Sequence, residues 1–296
     1  MKKIPVALVF LAAGALALAA CWVLSTPTVP QIALAPHNPD LANGRTMFLI
    51  GGCSSCHAVP KQDDATRLGG GLALPTAFGT FYVPNISSDA KDGIGNWTEN
   101  QFIAAMRYGV SPSGQHLYPA FPYTSYHLMR TEDLRDLFAY LKTLPAISGA
   151  VRDHALMFPF SIRRTIGLWK LLFFDDSQFR TDPSQSAQWN RGAYLVNGPG
   201  HCAECHSPRN LLGAVISGRR FTGGQSPTGQ GGVPDITQAK LHAWKVEDFA
   251  EVLDTGMTPD ADRVGGAMVE IVANTRHLGT ADREAIAVYL KSLRAK

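Results

Sequence analysis

Two short stretches of the sequence place a pair of cysteines directly before a histidine. The stretches are "GGCSSCH", with Cys53, Cys56 and His57, and "GHCAECH", with Cys202, Cys205 and His206. Cysteines at this spacing lie on one helical turn, which brings both sulfurs to one edge of a porphyrin, where they can form thioether bonds with its vinyl groups. The adjacent histidine can ligate the iron from one side. The sequence therefore predicts two covalently bound haem c groups, with four cysteines as attachment points and His57 and His206 as axial ligands.

Three other kinds of site use similar cysteine pairs. A redox-active pair would lie at the start of a helix in a mixed sheet fold, and no sheet pattern flanks these pairs. A four-cysteine zinc site would need the two pairs to converge, yet each pair lies in its own repeat, and a structural disulfide needs no histidine. Haem attachment is the favoured interpretation, and it leaves Cys21 as the fifth, unused cysteine.

The chain contains an internal repeat. Five landmarks recur at nearly constant separation: the cysteine pairs at 149 residues, "FYVPNIS" and "GGVPDIT" at 150, Trp97 and Trp244 at 147, Gly109 and Gly256 at 147, and "FAYLKTL" and "AVYLKSL" at 149. Chance does not keep five landmarks in register. We therefore predict a tandem duplication, with domains at residues 40–145 and 190–296 and a crossover at 146–189.

Short helices separated by long loops are predicted for each repeat. In "TENQFIAAMRYG", Thr98 and Gln101 form a capping box. In "TEDLRDLFAYLKTLP", Thr131 is the predicted N-cap, the apolar residues fall on one helical face, and Pro145 ends the helix. Because no stretch alternates convincingly as a strand, the predicted fold class is all-α, with two tandem small helical domains.

The amino terminus predicts export and membrane attachment. Lys2 and Lys3 precede the uncharged run Ile4 to Leu24, which is long enough to span a bilayer with the lysines on the cytoplasmic side. We predict that residues 1–24 form a retained anchor, with a cleaved signal peptide as the alternative. The stretch "LAAC" is also similar to a lipoprotein processing site, which would lipidate Cys21. Residues 25–39 are proline-rich and are interpreted as an extended tether.

The overall charge argues against nucleic acid as a partner. The chain has 27 Lys and Arg against 24 Asp and Glu, without the basic stripe that nucleic-acid binding requires.

Each haem iron held by histidine needs a sixth ligand or an open position. In the second repeat we predict Met268 as this ligand, because a methionine in the loop before the last helix has the right placement. Thioether ligation raises the reduction potential of the iron, which suits electron transfer. Met257 is the rival, and it is expected to pack at the end of the preceding helix.

Several stretches together resemble the membrane-anchored bacterial c-type cytochromes that serve as alcohol and aldehyde dehydrogenase subunits. They are "GGCSSCH", "LGGGLALPTAFGTFYVPNIS", "DGIGNWTENQFIAAMRYGVSPSGQHLYPAFPYTSY", "GAYLVNGPGHCAECHSPRN" and "VGGAMVEIVANTRHL". The resemblance implies two tandem cytochrome c domains in an electron-transfer protein that is not itself an enzyme. It also implies a location on the periplasmic face of the inner membrane. The partners it implies are a periplasmic dehydrogenase of the molybdenum- or quinone-cofactor type, and a quinone or oxidase acceptor.

The sequence departs from this family in two ways. The best-known alcohol dehydrogenase subunits carry three haem motifs, and this chain has two. Where those subunits have "YPAMPY", this chain has "YPAFPY", and the side chain of Phe121 cannot ligate iron.

The sixth ligand of the first haem must therefore come from elsewhere. Met129 is the predicted replacement, His127 or His116 would give bis-histidine ligation with a lower potential, and the iron could also remain open. Met106 lies on an amphipathic helix and is interpreted as core. An open iron would favour the alternative function, a haem enzyme such as a dihaem peroxidase or a thiosulfate dehydrogenase. A gas- or redox-sensing haem module is a weaker third interpretation, since no signalling domain is attached.

The crossover between the repeats contains an amphipathic stretch. Ile162, Ile166, Trp169 and Phe173 fall on one helical face of "FPFSIRRTIGLWKLLFFDD". This face is expected to pack between the two domains, with docking to the dehydrogenase or to the bilayer as the alternative.

Overall fold

The structure, a computed structural model, describes residues 5–226 and 231–294. The predicted cytoplasmic lysines, Lys2 and Lys3, lie outside the described residues. Most of the regular structure is helical, and the helices of the first half and the crossover are α1 (Val6–Leu24), α2 (Leu41–Ile50), α3 (Cys53–His57), α4 (Glu99–Tyr108), α5 (Tyr123–Tyr126), α6 (Thr131–Thr143) and α7 (Thr165–Phe173). The second half contains α8 (Ala187–Asn197), α9 (Gln238–Leu241), α10 (Val246–Thr255), α11 (Met268–Thr275) and α12 (Thr280–Ser292).

The first and last helices of each repeat cross at a glycine. A Cβ built on Gly44 of α2 would lie 2.2 Å from the backbone oxygen of Asp136 in α6. A Cβ built on Gly192 of α8 would lie 1.9 Å from the backbone oxygen of Ala285 in α12. Only glycine allows two helices to approach this closely, so the same crossing is built twice, 148 residues apart.

The two repeats share one hydrophobic core. Its buried members come from both halves and include Met47, Leu134, Leu195 and Ile286. The halves are therefore packed against each other and are not separated by a solvated linker.

Helix capping differs from the prediction at one of two positions. Thr98 and Gln101 form the predicted capping box at the start of α4. Thr131 is not the N-cap of α6, because Arg130 occupies that position and Thr131 is the first helical residue, without a side-chain cap bond. The prediction for Thr131 is wrong. The acids Glu132 and Asp133 fall in the first turn whether the helix begins at residue 131 or at residue 132, so the sequence does not distinguish the two starts.

Short strands are present where the sequence predicted none. β1 (Ala73–Thr76), β2 (Gly79–Tyr82) and β3 (Ala155–Leu156) form an antiparallel sheet in that order, and β4 (Gly224–Gln225) pairs with β5 (Gly232–Val233). Strands of two to four residues are too short to show alternation in a sequence.

The segment between α1 and α2 packs against the rest of the protein, which we call the body. In the described chain, α1 contains a run, Ala7–Leu24, long and apolar enough to cross a membrane, with a mean hydropathy of 2.4. Residues 25–39 have no helix or strand, but Ile32 and Leu34 pack against the core and Arg135 donates to the Ala35 carbonyl at 2.7 Å. We call residues 25–39 the strap, because they lie along the body.

Candidate cofactor-attachment sites

The cysteines of the two motifs lie at equivalent positions. Cys53 begins α3 after Gly52, and Cys202 begins a 3-10 turn after His201; both preceding residues have left-handed backbones, with φ of 55° and 38°. All five cysteines of the chain are free. Burial raises the pKa of the Cys53 and Cys202 thiols to about 12, so both are neutral. A redox-active pair needs a low-pKa thiolate, so this electrostatic environment is unlike that of a redox site.

The histidines of the two motifs are held in the same way. Nδ1 of His57 donates to the carbonyl of Pro84 at 2.9 Å, and Nδ1 of His206 donates to the carbonyl of Pro234 at 2.9 Å. A proton fixed on Nδ1 leaves the lone pair of Nε2 available to a metal. Burial lowers the pKa of His57 to about 4 and also lowers that of His206, which keeps both rings neutral.

These observations test whether the residues fit a haem, and they fit. Each site combines two neutral thiols one turn apart with a neutral histidine whose Nε2 is unprotonated, which is the donor set of haem c attachment. The repeated landmarks "FYVPNIS" and "GGVPDIT" now have a physical role, because their prolines supply the carbonyls that orient the two histidines.

Met268 lies at the start of a helix and not in a loop. The sequence placed it in the loop before the last helix, whereas it is the first residue of α11, half-buried against the core. The eight-residue helix was missed because the glycines at 265 and 266 and the threonine at 275 are typical of a loop. Met257, its rival, pairs with Arg263 in a β-bridge and is also half-buried.

Met129 is buried in the core of the first repeat. Its side chain is 1% exposed, and Nε and Nη2 of Arg107 donate to its carbonyl at 3.2 and 2.6 Å. Tyr126 lies one turn earlier, and its ring contacts that of Phe121 with centroids 5.5 Å apart. The Tyr126 ring also packs edge-on against His201, with centroids 5.5 Å apart, and His201 bonds to the carbonyl of Gly51, two residues before Cys53. Tyr126 therefore lies close to the first motif.

The two candidate histidines face other parts of the molecule. Nε2 of His116 donates to the carbonyl of Ser25, at the end of α1, at 2.9 Å. The ring of His127 packs edge-on against Phe174 with centroids 5.5 Å apart. Within the described chain Nδ1 of His127 has no hydrogen-bond partner, and burial lowers its pKa to about 4.

The second repeat shows which of its residues stand at the positions of Phe121 and Met129, the two residues in question for the sixth ligand of the first haem. Phe121 precedes Met268 by 147 residues, and Met129 precedes Leu278 by 149 residues. Leu278 is a buried core residue, 5% exposed, directly before the last helix of its repeat. The position of Met129 is thus a packing position in the second repeat.

Each motif is hydrogen-bonded to a helix of the other repeat, α11 for the first motif and α5 for the second. We call these two helices the distal segments, because they lie beside the candidate sixth ligands. Ser54 donates to Oδ1 of Asn274 in α11 at 2.9 Å, and Nδ2 of Asn274 donates to Ser55 at 3.0 Å. In the other direction, the hydroxyls of Thr124 and Ser125 in α5 donate to Oε1 of Glu204 at 2.8 and 3.0 Å. In each motif, residues between the two cysteines therefore form hydrogen bonds with the other repeat.

Glu204 is the charged member of these connections. Its Oε2 accepts a hydrogen bond from Nη2 of Arg209 at 2.7 Å. Burial acts to raise the pKa of Glu204, but Arg209 and the hydroxyl of Thr124 outweigh it and the pKa is lowered. The carboxylate is therefore ionised and fully hydrogen-bonded at neutral pH.

Sequence reasoning missed the residues that connect the repeats. Glu204, Asn274 and His201 received no role, although His201 donates to the Gly51 carbonyl at 3.2 Å. One signal was available for His201, since it stands where the first repeat has Gly52, 149 residues earlier. A non-glycine residue at a left-handed position is uncommon and indicates a local constraint.

Comparison with known proteins gives consistent matches. A family model described as "Cytochrome c" matches residues 41–145. The chain is 47% identical over 258 residues to a protein of Cereibacter sphaeroides named "Diheme cytochrome c-type", with 86% of each chain covered.

Two further relatives are longer than this chain. The "Fructose dehydrogenase cytochrome subunit" of Gluconobacter japonicus is 36% identical over 95% of this chain and 58% of its own length. The "Gluconate 2-dehydrogenase cytochrome c subunit" of Pantoea cypripedii is 31% identical over 93% of this chain and 64% of its own length. The chain therefore spans only part of the length of these two relatives.

Proposed function

The chain belongs to the c-type cytochromes, and from this membership we propose that it carries electrons from a dehydrogenase to the respiratory chain. Its relatives include proteins named as cytochrome subunits of fructose, alcohol and gluconate dehydrogenases. The observation that carries the proposal is the matched pair of motifs, each with two neutral thiols and a histidine oriented by a proline carbonyl. A haem c bound at each motif supplies reversible one-electron exchange.

The residues divide the task as follows. Four cysteines, Cys53, Cys56, Cys202 and Cys205, hold two haems covalently in domains at 40–145 and 190–296. His57 and His206 would ligate the irons through Nε2, and Met268 would supply the sixth ligand of the second iron. The shared core packs the two halves against each other and would fix the relative position of the two motifs.

For the first iron we propose Met129 as the distal ligand. It lies three residues after Tyr126, whose ring packs against His201 close to the first motif, whereas Nε2 of His116 bonds to the carbonyl of Ser25 at the end of α1. His127 and His116 are the rivals, because Nδ1 of each ring is buried without a hydrogen-bond partner in the described chain.

The proposed location and partners complete this function. Residues 1–24 anchor the chain in the inner membrane, and the haem domains face the periplasm. The electron donor is a periplasmic dehydrogenase of the molybdenum- or quinone-cofactor type, and the acceptor is a quinone or an oxidase. The chain itself performs no substrate chemistry.

The first test of this function is low-temperature electron paramagnetic resonance of the oxidised protein with Met129→Ala and His127→Ala variants. Two low-spin signals, one of which becomes high-spin in Met129→Ala only, are the expected result. Loss of that signal in His127→Ala would instead assign bis-histidine ligation.

One observation favours a second candidate function, a haem enzyme with an open first iron. Met129 is equivalent to the packing residue Leu278, and Phe121 replaces the ligating side chain. A high-spin signal in the unmodified protein, unchanged in both variants, would support this candidate and end the carrier proposal for the first haem.

A test of the partner uses electron transfer between purified proteins. The oxidised chain is mixed with a periplasmic dehydrogenase and its substrate, and haem reduction is followed by absorbance. Reduction that requires both the dehydrogenase and its substrate supports the proposal, and peroxide-dependent turnover by the chain alone would contradict it.

A further inference from the structure

Exposed apolar side chains outside α1 are concentrated in three neighbouring segments. They are Met157, Phe158 and Ile162 before α7, Leu171 and Leu172 at its end, and Leu211 and Leu212 in a turn of the second repeat. Phe158 is 81% exposed, Leu172 71% and Leu211 96%. We call these seven residues the α7 patch. Contiguous exposed apolar surface of this kind marks an interaction site in a soluble domain.

The three segments are held together by direct contacts. Nε1 of Trp169 in α7 donates to the carbonyl of Leu212 at 2.9 Å, which fixes the turn of the second repeat beside α7. The backbone N–H of Met157 donates to the carbonyl of Phe78 at 3.0 Å, and the ring of Phe78 packs against that of Phe160. A Cβ built on Gly213 would touch the ring of Phe78, so the turn also borders the segment before α7.

The α7 patch adjoins the end of the apolar helix α1. Arg164 donates two hydrogen bonds to the end of α1, from Nη2 to the Trp22 carbonyl at 2.6 Å and from Nε to Oγ of Ser25 at 3.0 Å. The Arg164 guanidinium also lies over the Trp22 ring, 4.0 Å from the ring centre. Gly167 of α7 packs against the backbone of Ser25, where a Cβ would meet the Ser25 carbonyl at 2.5 Å. The first turn of α7 is thus fixed to the point where α1 ends.

This position identifies the surface that would cover the patch. Tryptophan at the end of a membrane-spanning helix lies at the level of the lipid headgroups, and arginine beside it can reach the same level. A helix whose first turn is fixed at that level can place its exposed leucines in the interface. The strap also packs against the body, so residues 25–39 do not form a free linker between α1 and the body.

We propose that the α7 patch rests on the lipid surface beside the anchor and seats both repeats on the bilayer in a fixed orientation. This inference depends on the proposed membrane anchoring by α1. It adds a second, interfacial contact, in which α7 and the turn at Leu211 and Leu212 dip into the headgroup region. The basic side chains Arg163 and Lys170 are turned inward, bonding to the carbonyls of His116 and Tyr108, so the contact is apolar in character.

The test measures how accessible single cysteines are in the full, haem-attached chain. In a Cys21→Ser background, Leu172→Cys and Leu211→Cys probe the patch, and Leu41→Cys is the control, because Leu41 is an exposed leucine, 48% exposed, outside the patch. Each protein is placed in nanodiscs of phosphatidylethanolamine and phosphatidylglycerol and treated with a charged, membrane-impermeant maleimide. Labelling rates are divided by the rate for the same variant unfolded in urea, and the haem absorbance shows that folding is unchanged.

The expected result is labelling at least about tenfold slower at positions 172 and 211 than at position 41. Equal rates at all three positions in nanodisc-bound protein would overturn the inference while leaving the anchor intact. Protection that appears only after a dehydrogenase is added would assign the patch to a protein partner and would also overturn it. Failure of the chain to enter nanodiscs would refute the anchor, and the inference with it.

Discussion

At the scale of single residues, the two sites depend on how each histidine is oriented. His57 and His206 both donate from Nδ1 to a proline carbonyl, and both have a lowered pKa because of burial. A backbone carbonyl cannot be removed by mutation of its own side chain, so this orientation is robust to substitution at Pro84 and Pro234. In the proposed ligation, the distal side of each site depends on one side chain, Met129 or Met268, and would therefore be its sensitive part.

Replacement of Met268 tests the distal side of the second haem. In Met268→His, bis-histidine ligation is expected to lower one of the two midpoint potentials by on the order of 0.1 V, a fraction of the ~0.8 V range that axial ligands set. A spectroelectrochemical titration measures both potentials. Met257→Leu is the matched control and should leave both unchanged; a shift in Met257→Leu with none in Met268→His would exchange the roles of the two methionines.

Replacement of Glu204 tests the charged connection between the repeats. Glu204→Gln leaves Arg209 without its anionic partner and is expected to lower the free energy of unfolding by about 2–3 kcal/mol at pH 7. Denaturant unfolding of the haem-attached chain measures the loss. Glu284→Gln is the control, since Glu284 is exposed on α12 and should change stability by less than about 0.5 kcal/mol.

The same substitution predicts a pH dependence. The pKa of Glu204 is lowered in the folded chain from its ordinary value of 4.5, so the stabilisation is complete above about pH 4.5 and is lost as the pH falls through the folded value. The difference in unfolding free energy between the unmodified chain and Glu204→Gln should therefore shrink in more acidic buffers. A difference that stays constant with pH would show that the carboxylate charge is not the source of the stabilisation.

At the scale of elements, helix crossings repeat more faithfully than the loops between them. α2 crosses α6 at Gly44 in the same way that α8 crosses α12 at Gly192. The helices were predictable because their apolar stripes and caps are local signals, as the capping box of α4 demonstrates. The short strands and the helix that begins at Met268 were not, because their formation depends on contacts made elsewhere in the chain.

Addition of one methyl group tests the crossings. Gly44→Ala and Gly192→Ala place a Cβ within 2.2 and 1.9 Å of a backbone oxygen, so the helices must separate. We expect each variant to lose roughly 2–3 kcal/mol in unfolding free energy. Gly218→Ala is the control, because a Cβ there meets nothing within 4 Å, and its stability should stay within about 0.5 kcal/mol of the unmodified chain.

A pair of threonine substitutions tests the corrected helix cap. Thr98→Ala removes an observed capping box and should cost about 1 kcal/mol, whereas Thr131→Ala removes no cap bond and should cost much less. Thermal unfolding of the two variants side by side measures the difference. Equal losses would indicate that Thr131 does cap α6.

At the scale of the whole molecule, the repeats are bonded to each other reciprocally. Residues between the cysteines of each motif hold the distal segment of the other repeat, through Asn274 in one direction and Glu204 in the other. The family resemblance and the attachment chemistry were predictable from the motifs, and the matches to cytochrome subunits confirm the family. The cross-connections were not predictable, because they join polar residues up to 220 positions apart with no periodic pattern.

The shared core predicts that the two repeats unfold together. Because buried residues of both halves form one cluster, calorimetry of the haem-attached chain should give a single transition. Gly192→Ala, although placed in the second repeat, should lower the temperature of the whole transition. Two separate transitions, of which Gly192→Ala moves only one, would show that the repeats are thermodynamically independent.

The strap has a consequence for the supply of electrons. Its 15 residues could span roughly 50 Å if they were free and fully extended, enough for the body to visit several redox partners from one fixed point. Packed against the body by Ile32 and Leu34, they allow no such excursion. In the proposed membrane-anchored carrier, each encounter would require two molecules to meet by lateral diffusion. The crowding of the membrane and the ratio of carrier to dehydrogenase, and not the length of a linker, would then set the rate of electron transfer.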